Sequence, residues 1–184
     1  MLHMLSPIVA VQSHQPVTRV DSLSKIKSLD QAYSILLRTE NFADGGVGIA
    51  GSTPEEHYAL VYLVRQPFGK SHLLNLVSSS NIHAKLYALC GLYYVDPTIF
   101  QSHVAELKTS KLKFNQFSGC IIHESVVGKI IFSNTPGSPR IVLKNRSETI
   151  DQAMDRLLPK GQSSFQWDIS GGGIPAEIMS RVAR

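Results

Sequence analysis

The sequence predicts a mainly α fold: helix pairs, about five helices in all, then an irregular carboxy-terminal part with one or two short strands and another helix. Three observations predict it. Apolar residues at Leu23, Ile26, Leu29, Tyr33, Leu36 and Leu37 step by three and four, the spacing that lays one stripe along a helix of about 3.6 residues per turn. A cap followed by proline occurs twice, at Ser52-Thr53-Pro54 and at Asp96-Pro97, and proline's fixed φ and missing N–H suit the first helical turn. Between them, Ile82, Leu86, Leu89, Cys90 and Tyr93 form a further stripe, with Ala84 and Ala88 small enough for close helix approach.

Taken in order, the first helix runs from about Ser24 to Arg38. Asn41 to Gly51 holds four glycines and reads as a loop. Glu55 and Glu56 follow Pro54 and complement the positive end of a second helix, which reaches Arg65 and stops before Pro67. Gly69 to Ser78 carries Leu73, Leu74 and Val77 as a short helix, Asn81 caps the next, and Asp96 opens a fifth with Ile99, Phe100, Val104 and Leu107.

The stretch Ala84 to Pro97 (AKLYALCGLYYVDP) resembles a HEAT-type repeat. That resemblance implies a helix-pair layout and a tendency to bind protein. The same core is similar to a family of bacterial proteins of no known activity, through YALCGLY at Tyr87 to Tyr93, Asp96-Pro97 and SGCIIH at Ser118 to His123. It implies those boundaries and a pairing of the two cysteine-bearing segments, and nothing about chemistry.

After Lys108, Leu112, Phe114, Ile121 and Ile122 lie in an irregular or extended stretch around Gly119. Ser125 to Phe132 suits helix and strand equally. Asn134 to Pro139 is a loop, Ile141 to Leu143 a short strand, and Ser147 caps a helix carrying Ile150, Met154, Leu157 and Leu158. The expected division is a flexible leader or signal-peptide remnant at 1–21, one helical domain at 22–160, and a Gly/Ser-rich tail at 161–184 ending in a short helix from Pro175.

Of the 184 residues 43% are hydrophobic and 17% charged, which excludes a disordered polyelectrolyte. The apolar runs Tyr58 to Val64 and Leu86 to Val95 fall short of the roughly 20 residues a membrane-spanning helix needs. A net charge of +4 is a mild, diffuse excess that helps approach to anionic partners, with weak anion or nucleic-acid binding as a third reading of the sequence. Its densest stretch, Lys108, Lys111 and Lys113 before Phe114 and Phe117, offers anion contacts or a solvated segment with inward aromatics.

Cys90 and Cys120 are too few for a disulfide framework and lack zinc-site spacing. They are core thiols or one bridge, and a bridge places the protein in an exported compartment, free thiols in the cytoplasm. Cys120 also stands near His123, with His83 further off, so a thiol nucleophile with a histidine base is the alternative chemistry. Gly46 to Gly51 (GVGIAG) matches G-x-G-x-x-G, yet a helix precedes it where a dinucleotide fold needs a strand, so it reads as a plain loop. Gly171-Gly172-Gly173 reads as flexible tail rather than an anion cradle, and Glu56 with His57 as helix surface rather than an acid/base pair. No cofactor or metal motif is expected, and the function indicated is a non-enzymatic protein-binding or structural module.

Overall fold

Ser28 ends the approach to α1 (Leu29–Arg38), and its hydroxyl accepts the Gln31 N–H at 3.1 Å while Asp30 complements the positive helix end. In the computed structural model, which describes residues 26–132 and 168–183, α1 is followed by β1 (Phe42–Val47), α2 (Glu55–Arg65), α3 (Gly69–Ser78), α4 (Ile82–Val95) and α5 (Pro97–Leu107). Then come β2 (Lys113–Gly119), β3 (Ile121–Val126), the short α6 (Val127–Ile131) and α7 (Gly173–Ala183). The expected leader at 1–21, the strand at Ile141 to Leu143 and the helix after Ser147 lie outside the described residues.

Local chemistry places most helix starts. Asn81 Oδ1 accepts the N–H groups of His83 and Ala84, and Asp96 Oδ1 accepts that of Ile99 with Pro97 in the first turn. Asn81 also donates through Nδ2 to the carbonyls of Leu37 at 2.9 Å and Thr39 at 2.8 Å. One side chain therefore starts α4 and anchors the end of α1 beside it.

α4 is not one stripe of a helix pair. Ala84 and the run from Leu86 to Tyr93 are all buried, so apolar surface surrounds the helix, and α1, α2, α3, α5, α7, β1 and β2 all pack on it. Gly91 makes room for this, because a Cβ there would come within 3.0 Å of side chains of Leu73 on α3 and Leu60 on α2. In a helical solenoid each repeat touches only its neighbours. A central helix enclosed by the rest of the chain is a globular arrangement.

The expectation of HEAT-like helix pairs with strands confined to the carboxy-terminal part is therefore corrected. Seven helices among the described residues accompany a three-stranded mixed sheet of order β1-β2-β3, and its first strand comes from the segment read as a glycine loop. β1 runs parallel to β2 with Phe42 opposite Gln116 and Ala43 opposite Phe117, while β2 and β3 form an antiparallel hairpin from Lys113↔Val126 to Ser118↔Ile121. Phe-Ala-Asp-Gly-Gly-Val has little intrinsic strand preference, so its conformation is imposed by partners distant in sequence. The stretch from Ser125 to Phe132, ambiguous in sequence, divides into the end of β3 and the short helix α6.

The described end of the chain belongs to the core. Ile169, Ile174, Ile178 and Val182 are buried against it, and the N–H groups of Ile169 and Ser170 donate to the carbonyls of Ile130 and Ile131 at 2.9 Å each. α7 packs on β1, α2 and α4.

Candidate functional site

In a parallel pair, alternate residues of a strand turn their backbone groups toward and away from the neighbour. On β1 the outward groups of Ala43 and Val47 are occupied. The Ala43 N–H donates to Tyr87 Oη at 2.9 Å, and His57 Nε2 donates to the Ala43 carbonyl at 2.9 Å. Further along, Val47 exchanges two backbone bonds of 2.8 Å with Ser52. The outer edge of β1 is thus closed at Ala43 by side chains from α4 and α2 and at Val47 by its own following turn.

His57 is fully buried, not at the helix surface expected for it. A carbonyl only accepts, so the proton sits on Nε2 and Nδ1 is a bare acceptor, itself buried and without a hydrogen-bond partner among the described residues. Burial pulls the pKa from 6.5 to about 4, the Ala43 bond opposes this, and the Arg181 guanidinium adds to it. Burial likewise pushes the Tyr87 phenol well above its ordinary value. Both groups are neutral hydrogen-bonding partners across the physiological range. Glu56 turns elsewhere, accepting the Thr39 hydroxyl at 3.1 Å, so the two adjacent residues form no acid/base pair.

A strand does precede the G-x-G-x-x-G stretch, which removes the contextual objection to a nucleotide loop. The backbone answers the question instead. The N–H groups of Val47, Gly48, Gly51 and Ser52 donate to Ser52, Gly119, Gly48 and Val47 respectively, so they are committed internally rather than facing a phosphate. Arg181, ion-paired to Glu177, donates to the Gly51 carbonyl at 3.2 Å, and Glu55 and Glu56 repel anions from the start of α2. Gly171 and Gly172 are committed in the same way, to Asp168 Oδ1 at 2.7 Å and the Ile169 carbonyl at 3.2 Å.

On the face of the sheet that carries buried Phe42 and Phe114, Asp44 Oδ2 accepts from Gln116 Nε2 and from the Ser118 hydroxyl. This cluster ties β1 to β2 where their register shifts, between Ala43 and Val47.

The residues of the thiol reading are not brought together. Cys120 is free and exposed in the turn of the hairpin, and His123 lies opposite Gln116, roughly 7 to 10 Å along the strand from that turn. His83, at the start of α4, accepts the Asn115 N–H through Nε2 at 3.0 Å, far down β2 from the turn, and burial lowers its pKa. The bridge is not formed either: Cys90 is free and buried in α4, its thiol pushed up by burial. Nor do the three lysines converge. Lys113 Nζ sits 2.7 Å from Glu124 Oε1, Lys111 is exposed in the preceding loop, and Lys108 borders an open cleft shared with Ser110, Lys129 and Phe132.

The opposite edge of the sheet was not singled out from sequence. Among the described residues β3 pairs only with β2, and Ile121 to Glu124 are all exposed. At the same end, Gly48 N–H donates to the Gly119 carbonyl at 2.7 Å, so the turn carrying Ile49 abuts the end of β2 next to the hairpin turn. Ile49 is 100% exposed, Ile121 66% and Ile122 53%, with Ile121 and Ile122 on opposite faces at the start of β3. The signal available in sequence was the β-branched, lysine-free and proline-free segment IIHESV. No described helix is long and apolar enough to cross a membrane. Comparison of the chain with family models, with curated proteins and with solved structures finds no match.

Proposed function

We propose that this protein is a non-enzymatic binding module that takes a protein partner as an added strand on the free edge of β3. The observation that carries this reading is the contrast between the two sheet edges. An open edge presents unpaired N–H and C=O groups and invites further pairing, and proteins usually blunt it with lysine, proline, bulges or a covering element. Here β1 is sealed at Ala43 and Val47, whereas β3 holds an unbroken six-residue register with β2 and has neither lysine nor proline. Ile121 and Ile122, exposed on the two faces at the start of β3, supply apolar area along that edge. Strand addition uses main-chain bonds for affinity and alternate side chains for selectivity.

A photo-reactive residue in place of Ile122, expressed in the source cell, tests this against the same residue at exposed Lys70 on α3. The reading expects discrete adducts from position 122 alone, with the partner's attachment site mapping to an extended segment, and their loss when Ile121→Asp is added. Equal adducts at both positions, or none at 122, would overturn it.

A further inference from the structure

Residues paired across an antiparallel ladder share a face. Lys113, Asn115 and Phe117 of β2 therefore lie on one face of the hairpin with Val126, Glu124 and Ile122 of β3, opposite the face that buries Phe114. Along the free edge that outer face reads apolar, acidic, apolar: Ile122, Glu124, Val126. Glu124 gives Oε1 to Lys113 and remains exposed, and a carboxylate with about four acceptor positions accommodates a second cation.

A second copy of the chain fits this edge poorly. In a two-fold antiparallel pairing that keeps each face continuous, one residue must lie opposite itself. Centring on Glu124 sets carboxylate against carboxylate, centring on His123 sets Ile122 against Glu124, centring on Ile122 overlaps only the three residues Ile121 to His123, and centring on Ser125 sets Glu124 against Val126.

Resting on the reading of β3 as the docking edge, we propose that the partner strand carries a Lys or Arg flanked at two-residue spacing by apolar β-branched residues, a pattern apolar-x-basic-x-apolar. The basic residue sits opposite Glu124 and the flanking pair opposite Ile122 and Val126. Because the pattern is symmetric, it fits whether the strand adds parallel or antiparallel.

The test uses the full chain and two capped heptapeptides, Thr-Val-Thr-Lys-Thr-Val-Thr and the same peptide with glutamate at the centre, followed by backbone amide shifts and hydrogen exchange. The lysine peptide is expected to shift and protect amides of Ile121 to Val126 and to bind about fivefold more tightly than its twin. Glu124→Lys, an exposed substitution compatible with the fold, is expected to reverse that preference. Equal binding of both peptides at β3, or binding of neither to an edge whose amides exchange freely, overturns the charge pattern while leaving the docking edge standing. Outward β3 amides already protected in the free chain overturn the docking edge itself, with dilution separating a second copy, whose protection falls, from the chain's own segment, whose protection persists.

Discussion

His57 Nε2 stands 2.9 Å from the carbonyl oxygen of Ala43, and that contact joins the ionisation of a buried histidine to the closure of a strand edge. The folded pKa is about 4 against 6.5 for the free side chain, so between those values the unfolded chain binds a proton that the folded one refuses. Stability is therefore full above pH 6.5, falls as pH drops toward 4 and levels off below it. The contribution is on the order of 3 kcal/mol, at about 1.4 kcal/mol per pH unit. Urea unfolding from pH 7 to 4.5 should show this slope in the wild type. His57→Leu, less stable at pH 7, should lose it, the difference between the two curves cancelling the shared carboxylates. Parallel curves would place the proton uptake elsewhere.

Asn81 acts in two directions, and two substitutions separate them. Its Oδ1 caps α4 and its Nδ2 binds the carbonyls of Leu37 and Thr39. Asn81→Asp keeps the cap and removes the donors, whereas Asn81→Ala removes both. The alanine variant should cost about 2 to 3 kcal/mol and the aspartate variant about half to two thirds as much. Thermal unfolding measures both. An aspartate variant as stable as wild type would show that the link from α4 to α1 contributes nothing.

These capping residues belong to the part of the fold that sequence made legible. Asn81 and Asp96 cap within three residues of themselves, so the starts of α4 and α5 are visible in a short window, whereas α1, expected from about Ser24, is capped by Ser28 and begins at Leu29. β1 is not visible in such a window, because Ala43 is held by Tyr87 and His57, 44 and 14 residues away, and nothing in Ala-Asp-Gly-Gly announces those partners. For the same reason His57 reads as surface beside Glu56, and Asp168 to Gly173 reads as tail until Ile169 and Ile174 are seen in the core. The open edge escaped notice because exposure is a property of what fails to pack on β3, and a segment such as IIHESV looks the same in a covered strand.

Gly46 and Gly48, two residues apart, should respond to alanine for different reasons. A Cβ on Gly46 meets the Gly51 carbonyl oxygen at 2.6 Å and the Arg181 guanidinium closer still. Either β1 parts from the following turn or α7 shifts, at a cost of roughly 2 to 3 kcal/mol. Gly48 has open space around it and φ of +73°, so alanine meets only left-handed backbone strain, about 1 kcal/mol. Chemical denaturation of the two variants should rank them in that order. Adding Arg181→Ala should relieve part of the Gly46 defect and none of the Gly48 defect, a double-mutant coupling that identifies α7 as the element pressed against the strand.

The two cysteines offer separate readings of the surface and the core. Cys120 is exposed in the hairpin turn, whereas Cys90 is buried within α4 and its thiol is raised by burial, which suppresses the reactive thiolate. Alkylation of the native protein should add one label, at Cys120, and the second should appear only as fast as the core opens. Intact mass against time in increasing urea separates the two processes, and the Cys90 rate should follow global unfolding because α4 touches most of the other elements. Labelling of Cys90 well before the unfolding transition would show that α4 is released locally. Labelling of neither thiol until reductant is added would restore the disulfide. If a strand docks on β3, occupancy should also slow labelling of Cys120 while leaving the Cys90 rate under stabilising conditions no faster than before. The exposed thiol then reports the binding edge and the buried one reports the fold, within one molecule.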